Sequence, residues 1–187
     1  MKQRCSWAEG NEKMKIYHDT IWGVPLYDDQ RLFRKLILDI HQAGLSWQTI
    51  LNKEDHFDKA FDYFDVKKVA AYDEKKIEEL LDNQGIIRNR RKIEATIHNA
   101  QKVIELQKEF GTFSNYLWAF NEHNVLKNTY RDQIEIPTTN DLSDRITKDL
   151  KKRGFKFVGS TIIYAFLEAV GVINDHVTTC FRYEEIE

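Results

Sequence analysis

Proline and cysteine are both scarce in this chain of 187 residues, at two each. With Pro25 and Pro137 the only prolines, little interrupts helices from within. Strand-like alternation of apolar and polar residues is also rare. No apolar run approaches the roughly 20 residues that a membrane-crossing helix needs, which excludes a helical membrane protein. The opening Met1-Lys2-Gln3-Arg4-Cys5-Ser6-Trp7 has no apolar stretch behind its basic residues. It does not read as a signal peptide, and a cytoplasmic location is the expectation. The net charge is only −2, so the chain as a whole does not attract nucleic acid, and any DNA binding must come from a local basic face. Cys5 and Cys180 stand at opposite ends. An oxidising compartment would allow one bridge joining the termini. In a reducing cytosol, metal ligation or plain buried thiols are the better readings.

What is present is helical periodicity. Apolar residues make up 42% of the chain and charged residues 31%, a balance that excludes disorder and fits one domain over residues 1–187. Leu32, Phe33, Leu36, Ile37 and Ile40 form an apolar stripe, capped by Asp28 or Asp29 and closed before Gly44. Asp65 caps a short helix carrying Val66, Val69 and Ala70. Asp73 caps another through Ile77, Leu80 and Leu81, ended by Gly85. Asn89 starts the longest candidate, through Ile93, Ile97, Ala100 and Ile104 to Gly111. Further helices carry Leu142, Ile146 and Leu150 up to Gly154, and Ile162, Phe166, Ala169 and Val170 up to Gly171. The fold class is all-α.

Several segments carry chemistry. Between the last two helices lies Lys151-Lys152-Arg153-Gly154-Phe155-Lys156-Phe157-Val158-Gly159-Ser160, a short connection with glycine at both ends. Exposed amides, a helix N-terminus and four basic side chains could hold a phosphate there; the plainer reading is a tight turn with a solvated basic rim. Gly85 to Ile93 also places basic residues before a helix start, and there a solvated face is favoured. Gln42-Ala43-Gly44-Leu45-Ser46-Trp47 puts a leucine on a small loop tip, a shape that can wedge into a duplex, although core leucines far outnumber wedges. Trp7, Tyr17, Trp22, Tyr27 and Trp47 crowd the first quarter of the chain. Aromatics are more often core than platform, but with Asp39 nearby they suit a flat cationic base. Finally, His176 and Cys180 are zinc-type ligands four residues apart, and Cys5 and His18 stand near the other end. Together they make a Cys₂His₂ set, although two unrelated pairs are favoured on spacing alone. His41, His56, His98 and His123 read as surface or ordinary buried histidines.

Taken together, these segments resemble the 3-methyladenine DNA glycosylase I family along almost the whole chain. The matching stretches are Arg4-Cys5-x-Trp7, Tyr17-His18-Asp19 with Trp22-Gly23-Val24-Pro25, Gln42 to Trp47, Gly85 to Arg88 with Lys92-Ile93, Lys151 to Gly159, and Asn174-Asp175-His176. The resemblance implies a helix-hairpin-helix glycosylase fold, with residues from about 143 to 171 as the DNA-binding element. Gly154, Lys156, Gly159 and Ser160 would contact DNA there, and Gly44 and Leu45 would insert into it. It implies one structural zinc ion held by Cys5, His18, His176 and Cys180, tying segments 5–18 and 176–180 together. It also implies a base pocket of Trp7, Tyr17, Trp22 and Trp47. Two positions depart from the family: Asp39 stands where glutamate is usual, and Met14 where a second tyrosine can occur.

The implied activity is base excision repair: a 3-methyladenine is flipped out of alkylated double-stranded DNA and its N-glycosidic bond hydrolysed by a monomeric enzyme. Many helix-hairpin-helix glycosylases carry an aspartate two residues before a histidine; counting back from His176 gives Asn174, and the family is similar in lacking that carboxylate. N3-methylation already weakens the bond, so extrusion, stacking and water positioning are the expected contributions. No lysine stands in a recognisable Schiff-base position, so no strand cleavage is expected. The competing reading is a non-catalytic DNA-binding module that keeps the hairpin and the zinc.

Overall fold

A computed structural model describes residues 2–186. Met1 and Glu187, the outermost residues of the expected domain, lie outside the described residues. Among these residues the chain forms α1 (Glu12–Thr20), α2 (Asp29–Gln42), α3 (Trp47–Leu51), α4 (Glu54–Ala60), α5 (Val66–Ala70), α6 (Glu74–Asp82), α7 (Arg90–Phe110), α8 (Phe113–Ala119), α9 (Asp141–Lys152) and α10 (Ser160–Ala169). Two short strands, β1 (Leu126–Lys127) and β2 (Ile173–Asn174), pair in parallel with Leu126 opposite Ile173.

The capping residues read from the sequence act where a helix needs them. Asp28, Asp65, Asp73 and Asn89 accept hydrogen bonds from the amides of Arg31, Lys68, Lys76 and Lys92, satisfying donors that the first turn leaves free. One boundary differs. The helix after Asp73 stops at Asp82 rather than at Gly85, because Asn83 is extended and its side chain accepts from the Gly85 amide at 2.8 Å. Helices α4 and α8 have seven residues each, too short for a periodic pattern to declare itself. The start of α8 is capped locally, Thr112 accepting from the Asn115 amide, and also held from afar: Asp29, the first residue of α2, accepts from the amides of Phe113 and Ser114 and from the Gln107 side chain.

The core gathers around α2, α7 and α10. Leu32, Phe33, Leu36, Ile37, Leu38 and Ile40 of α2 are buried, and so are Ile163, Tyr164, Phe166, Leu167 and Ala169 of α10. A second apolar cluster joins the two chain ends, with Cys5, Tyr17, Trp22, Val177 and Cys180 buried together. It is pinned to the end of α10 by a backbone crossing. The Gly23 amide donates to the Ala169 carbonyl and the Leu26 amide to that of Val170. At Gly171 (φ +76°) a Cβ would stand 2.4 Å from the Pro25 nitrogen, so only glycine permits this approach.

Candidate functional site

Five elements meet around a cavity of about 280 Å³. The turn at Ser6–Gly10 supplies Trp7, α1 supplies Met14 and Tyr17, α2 supplies Lys35, Asp39 and Gln42, α3 opens with Trp47, and α10 supplies Ala165, Glu168 and Ala169; Trp22 and Gln133 complete the wall. The four aromatic residues expected at a base pocket are therefore together. The Tyr17 and Trp47 rings are 5.0 Å apart at 40°, Trp7 lies 6.2 Å from Tyr17, and Trp7 meets Trp22 edge-on at 5.1 Å. Tyr27 is not part of this group. It is largely exposed and stacks on Trp118 at 4.7 Å.

Among the described residues, three polar atoms of this wall's side chains are buried without a partner: Asp39 Oδ2, Trp47 Nε1 and Gln133 Oε1. Buried polar groups are normally satisfied, because an orphan forfeits its hydration for nothing. All three belong to residues that line one cavity, so a polar, planar occupant that displaced the packing over them would find two acceptors and one donor unspent. Sequence reading missed Gln133, which sits in a one-turn helix at Gln133–Glu135 far from every motif. It also missed Lys35, whose ammonium bonds Asp39 Oδ1 and lies 3.8 Å from the Trp47 ring centre. Burial pushes the Asp39 carboxyl up, opposed by Lys35, and pulls the Lys35 ammonium down, opposed by Asp39. Glu168 is pushed well above the usual carboxylate range by burial and then by Asp175.

Beside the aromatic wall, Cys5, His18, His176 and Cys180 are all buried, with their ligand atoms within 4.8 Å of one another. Both cysteines are free. Cys5 Sγ lies 3.7 Å from His176 Nδ1, and Cys180 Sγ lies 3.5 Å from His176 Nδ1 and 3.4 Å from His18 Nε2. Tetrahedral zinc, with bonds of about 2.3 Å to sulfur and 2.0–2.1 Å to nitrogen, would hold S and N roughly 3.6 Å apart. The outer ring atoms are also engaged: His18 Nδ1 meets Asp19 Oδ1 at 2.8 Å, and His176 Nε2 meets the Trp22 carbonyl at 3.3 Å. Arg4 in turn holds Asp19 through Nε and Nη2. These partners leave His18 Nε2 and His176 Nδ1 as acceptors facing the thiols. The Cys180 thiol is driven down by Cys5 and, against the effect of burial, by the two imidazoles.

The loop tip and the α9–α10 connection lie on the surface. Leu45 is exposed beside Gly44, whose φ is +80° with open space around it. In the connection, Gly154 takes φ +92°, but the second glycine is ordinary. Gly159 sits at φ −66° in open space as the residue before α10; the left-handed angle belongs to Phe157, at +56°. The amides of Gly154, Phe155 and Lys156 are spent on Lys151, Leu150 and the Asn99 side chain. Among the described residues, no protein acceptor meets those of Phe157, Val158, Gly159 and Ser160. The available amides are therefore those of the second half of the turn. Arg153 is committed to Glu109 and Asp149, and the Ser160 hydroxyl to Asp144 and Ser143. Lys151, Lys152 and Lys156 remain exposed.

Asn174 donates to the Tyr183 and Ile186 carbonyls and so anchors the C-terminal segment. Asp175 accepts from Tyr164 and from Asn128.

Comparison with known proteins agrees over nearly the full length. Residues 7–183 match the methyladenine glycosylase family. The chain is 42% identical to DNA-3-methyladenine glycosylase 1 of Escherichia coli K12 over 181 residues, covering 97% of both chains. It is 40% identical to the DNA-3-methyladenine glycosylase of Haemophilus influenzae, covering 96% of this chain and 97% of that one. Among solved structures, one of 3-methyladenine DNA glycosylase I superposes with a TM-score of 0.93 at 42% identity, covering 96% of this chain and 98% of the other. The Staphylococcus aureus enzyme, described for its recognition of 3-methyladenine, superposes with a TM-score of 0.92 at 35% identity, covering 95% of each.

Proposed function

The chain belongs to the methyladenine glycosylase family, and we propose that it is a DNA-3-methyladenine glycosylase acting in base excision repair. The observation that carries this reading is the cavity itself. It has room for a single heterocycle, Tyr17 and Trp47 offer aromatic faces, and Asp39, Gln133 and Trp47 leave two acceptors and one donor unpartnered. Adenine brings the complement, an exocyclic amine that donates and ring nitrogens that accept. The substrate base carries a positive charge from methylation and leaves as a neutral molecule when the bond from N9 to C1′ breaks and its electrons pass to the base. Water then adds to C1′ and loses a proton. The protein needs to extrude the base, hold it and admit that water. Asn174 is turned to the C-terminal segment and offers no carboxylate for the purpose. The Lys35 amine is committed to Asp39, which supports hydrolysis without strand cleavage.

DNA is read here as a duplex gripped by the α9–α10 element, in the manner of a helix-hairpin-helix. The free amides of residues 157–160 would meet phosphate, flanked by Lys151, Lys152 and Lys156, with Leu45 filling the space left by the base. Only a local patch is available for this, since the net charge is −2. We take the working form to be a cytoplasmic monomer; no helix among the described residues is long and apolar enough to cross a membrane.

The four-residue cluster fits zinc in donor type, spacing and outer hydrogen bonds. Cys5, His18, His176 and Cys180 would hold one ion with no open position. Its contribution would be cross-linking of the chain ends, not activation of water. The deciding experiment is release of free bases from methylated duplex DNA, resolved by chromatography. Release of 3-methyladenine with intact strands is expected. Duplex binding without any base release would instead establish a non-catalytic binding protein.

A further inference from the structure

The base cavity already contains a cation. Residues 35 and 39 are one turn apart on α2, so Lys35 and Asp39 share a face. The Lys35 ammonium bonds Asp39 Oδ1 and lies 3.8 Å from the Trp47 ring centre and 5.9 Å from that of Tyr17. Both side chains are nearly closed to solvent, at 11% and 3% exposure. A buried carboxylate beneath aromatic faces is the seat that would draw a positively charged planar base. Here the protein's own ammonium makes both of those contacts. Of the Asp39 carboxylate, Oδ2 is left without a partner among the described residues.

We propose that Lys35 is a specificity-determining residue of this cavity: a built-in cation that a positively charged purine must displace before it reaches Asp39 and Trp47. The proposal rests on the base-excision reading above. Asp39 and Lys35 nearly cancel, so the cavity admits a base by its hydrogen-bonding edge and its shape rather than by its charge. The other charged groups around Lys35 are Arg34 and Glu54 on one side and Glu168 on α10 on the other. The ammonium also has somewhere to go. Lys35 lines an adjoining cleft of about 360 Å³ whose wall includes Glu54, and a flexible four-carbon stem can carry the charge from one space to the other.

The test compares two probes by calorimetry: free 3-methyladenine at a pH where it is neutral, and 3,9-dimethyladeninium, a fixed cation with the same amine edge. Wild type should bind the two within about tenfold of each other. Lys35→Met should tighten the fixed cation by about tenfold or more, the scale of one cation–π or charged contact, and the neutral base much less. Lys35→Arg, which keeps the charge, should stay close to wild type. An unchanged or weakened affinity of Lys35→Met for the fixed cation would overturn the proposal. So would a wild-type preference for the cation well beyond tenfold, a measurement that needs no variant to fold. Base release from methylated duplex by wild type is read alongside. If no 3-methyladenine is released, the functional reading fails and the proposal with it. If it is released while the Lys35→Met affinities do not move, only the role of Lys35 is overturned.

Discussion

Asp39 serves two partners with one carboxylate. Oδ1 holds the Lys35 ammonium while Oδ2 is buried and, among the described residues, unpartnered, which leaves one acceptor for the exocyclic amine of a neutral free base with Lys35 in place. Replacing Asp39 by asparagine removes a charged acceptor and strands Lys35, so binding of free 3-methyladenine should weaken by about 1–3 kcal/mol. Asp39→Glu restores the residue usual in the family and should keep or improve excision. Calorimetry and base release on both variants decide this, and an Asp39→Asn protein that binds and cuts like the parent would remove Asp39 from recognition. Gln133 gives a cleaner variant, because it is half-buried on a one-turn helix and carries none of the core. Gln133→Ala should cost about 1 kcal/mol of base affinity with an unchanged unfolding midpoint. The two positions differ in how they could be found. That Trp7, Tyr17, Trp22 and Trp47 share one cavity was legible because they sit in recognisable stretches, and Asp39 because it stands three residues before one of them. Gln133 and Lys35 matter only through what folding places opposite them, and a lysine on a helix ordinarily reads as solvated surface.

At the scale of elements, helices whose caps and apolar stripes coincide were legible, as α7 between Asn89 and Gly111 shows. A short one was not: α8 has its own cap in Thr112, but its seven residues are too few for a periodic stripe, and its first amides also lean on Asp29 across the fold. The α9–α10 connection is a mixed case. Its position and its glycines could be read, but which amides and cations stay free could not, because Asn99 and Glu109 of α7 and Asp149 of α9 claim several of them. Lys156 keeps an exposed side chain. Lys156→Glu should therefore weaken binding to all duplexes alike and lower the slope of log affinity against log salt by about 1 or more. Release of 3-methyladenine at saturating DNA should change less. An unaltered slope would move the phosphate contact elsewhere. Arg153→Gln provides the contrast: its guanidinium is bound to Glu109 and Asp149, so it should cost stability and leave the slope nearly unchanged.

For the molecule as a whole, the Cys/His cluster and the aromatic wall form one structure. Trp22 packs on His176 at 4.6 Å and on His18 at 6.1 Å, and Trp7 meets both His18 and Trp22. The same segment is tied to α10 by the Gly23 and Leu26 hydrogen bonds, and a Cβ on Gly23 would stand 2.8 Å from His176 Nε2. If one zinc ion holds these ligands, its loss should loosen both chain ends and then the wall of the base cavity. Metal analysis of gently purified protein should give one zinc per chain. His176→Ala leaves three ligands and removes the ring against which Trp22 rests. A loss of about 3 kcal/mol would lower the midpoint by roughly 6–12 °C in a chain of this size. Affinity for free 3-methyladenine should fall with it, because Trp7 and Trp22 lose their support, while core positions such as Phe33 and Val103, buried in the main cluster rather than in the one at the chain ends, keep their protection from hydrogen exchange. Stripping the metal with a chelator should reproduce both effects, and restoring zinc should reverse them. Protein without zinc, its two cysteines joined and base binding intact, would show that the ends are closed by a covalent bridge instead.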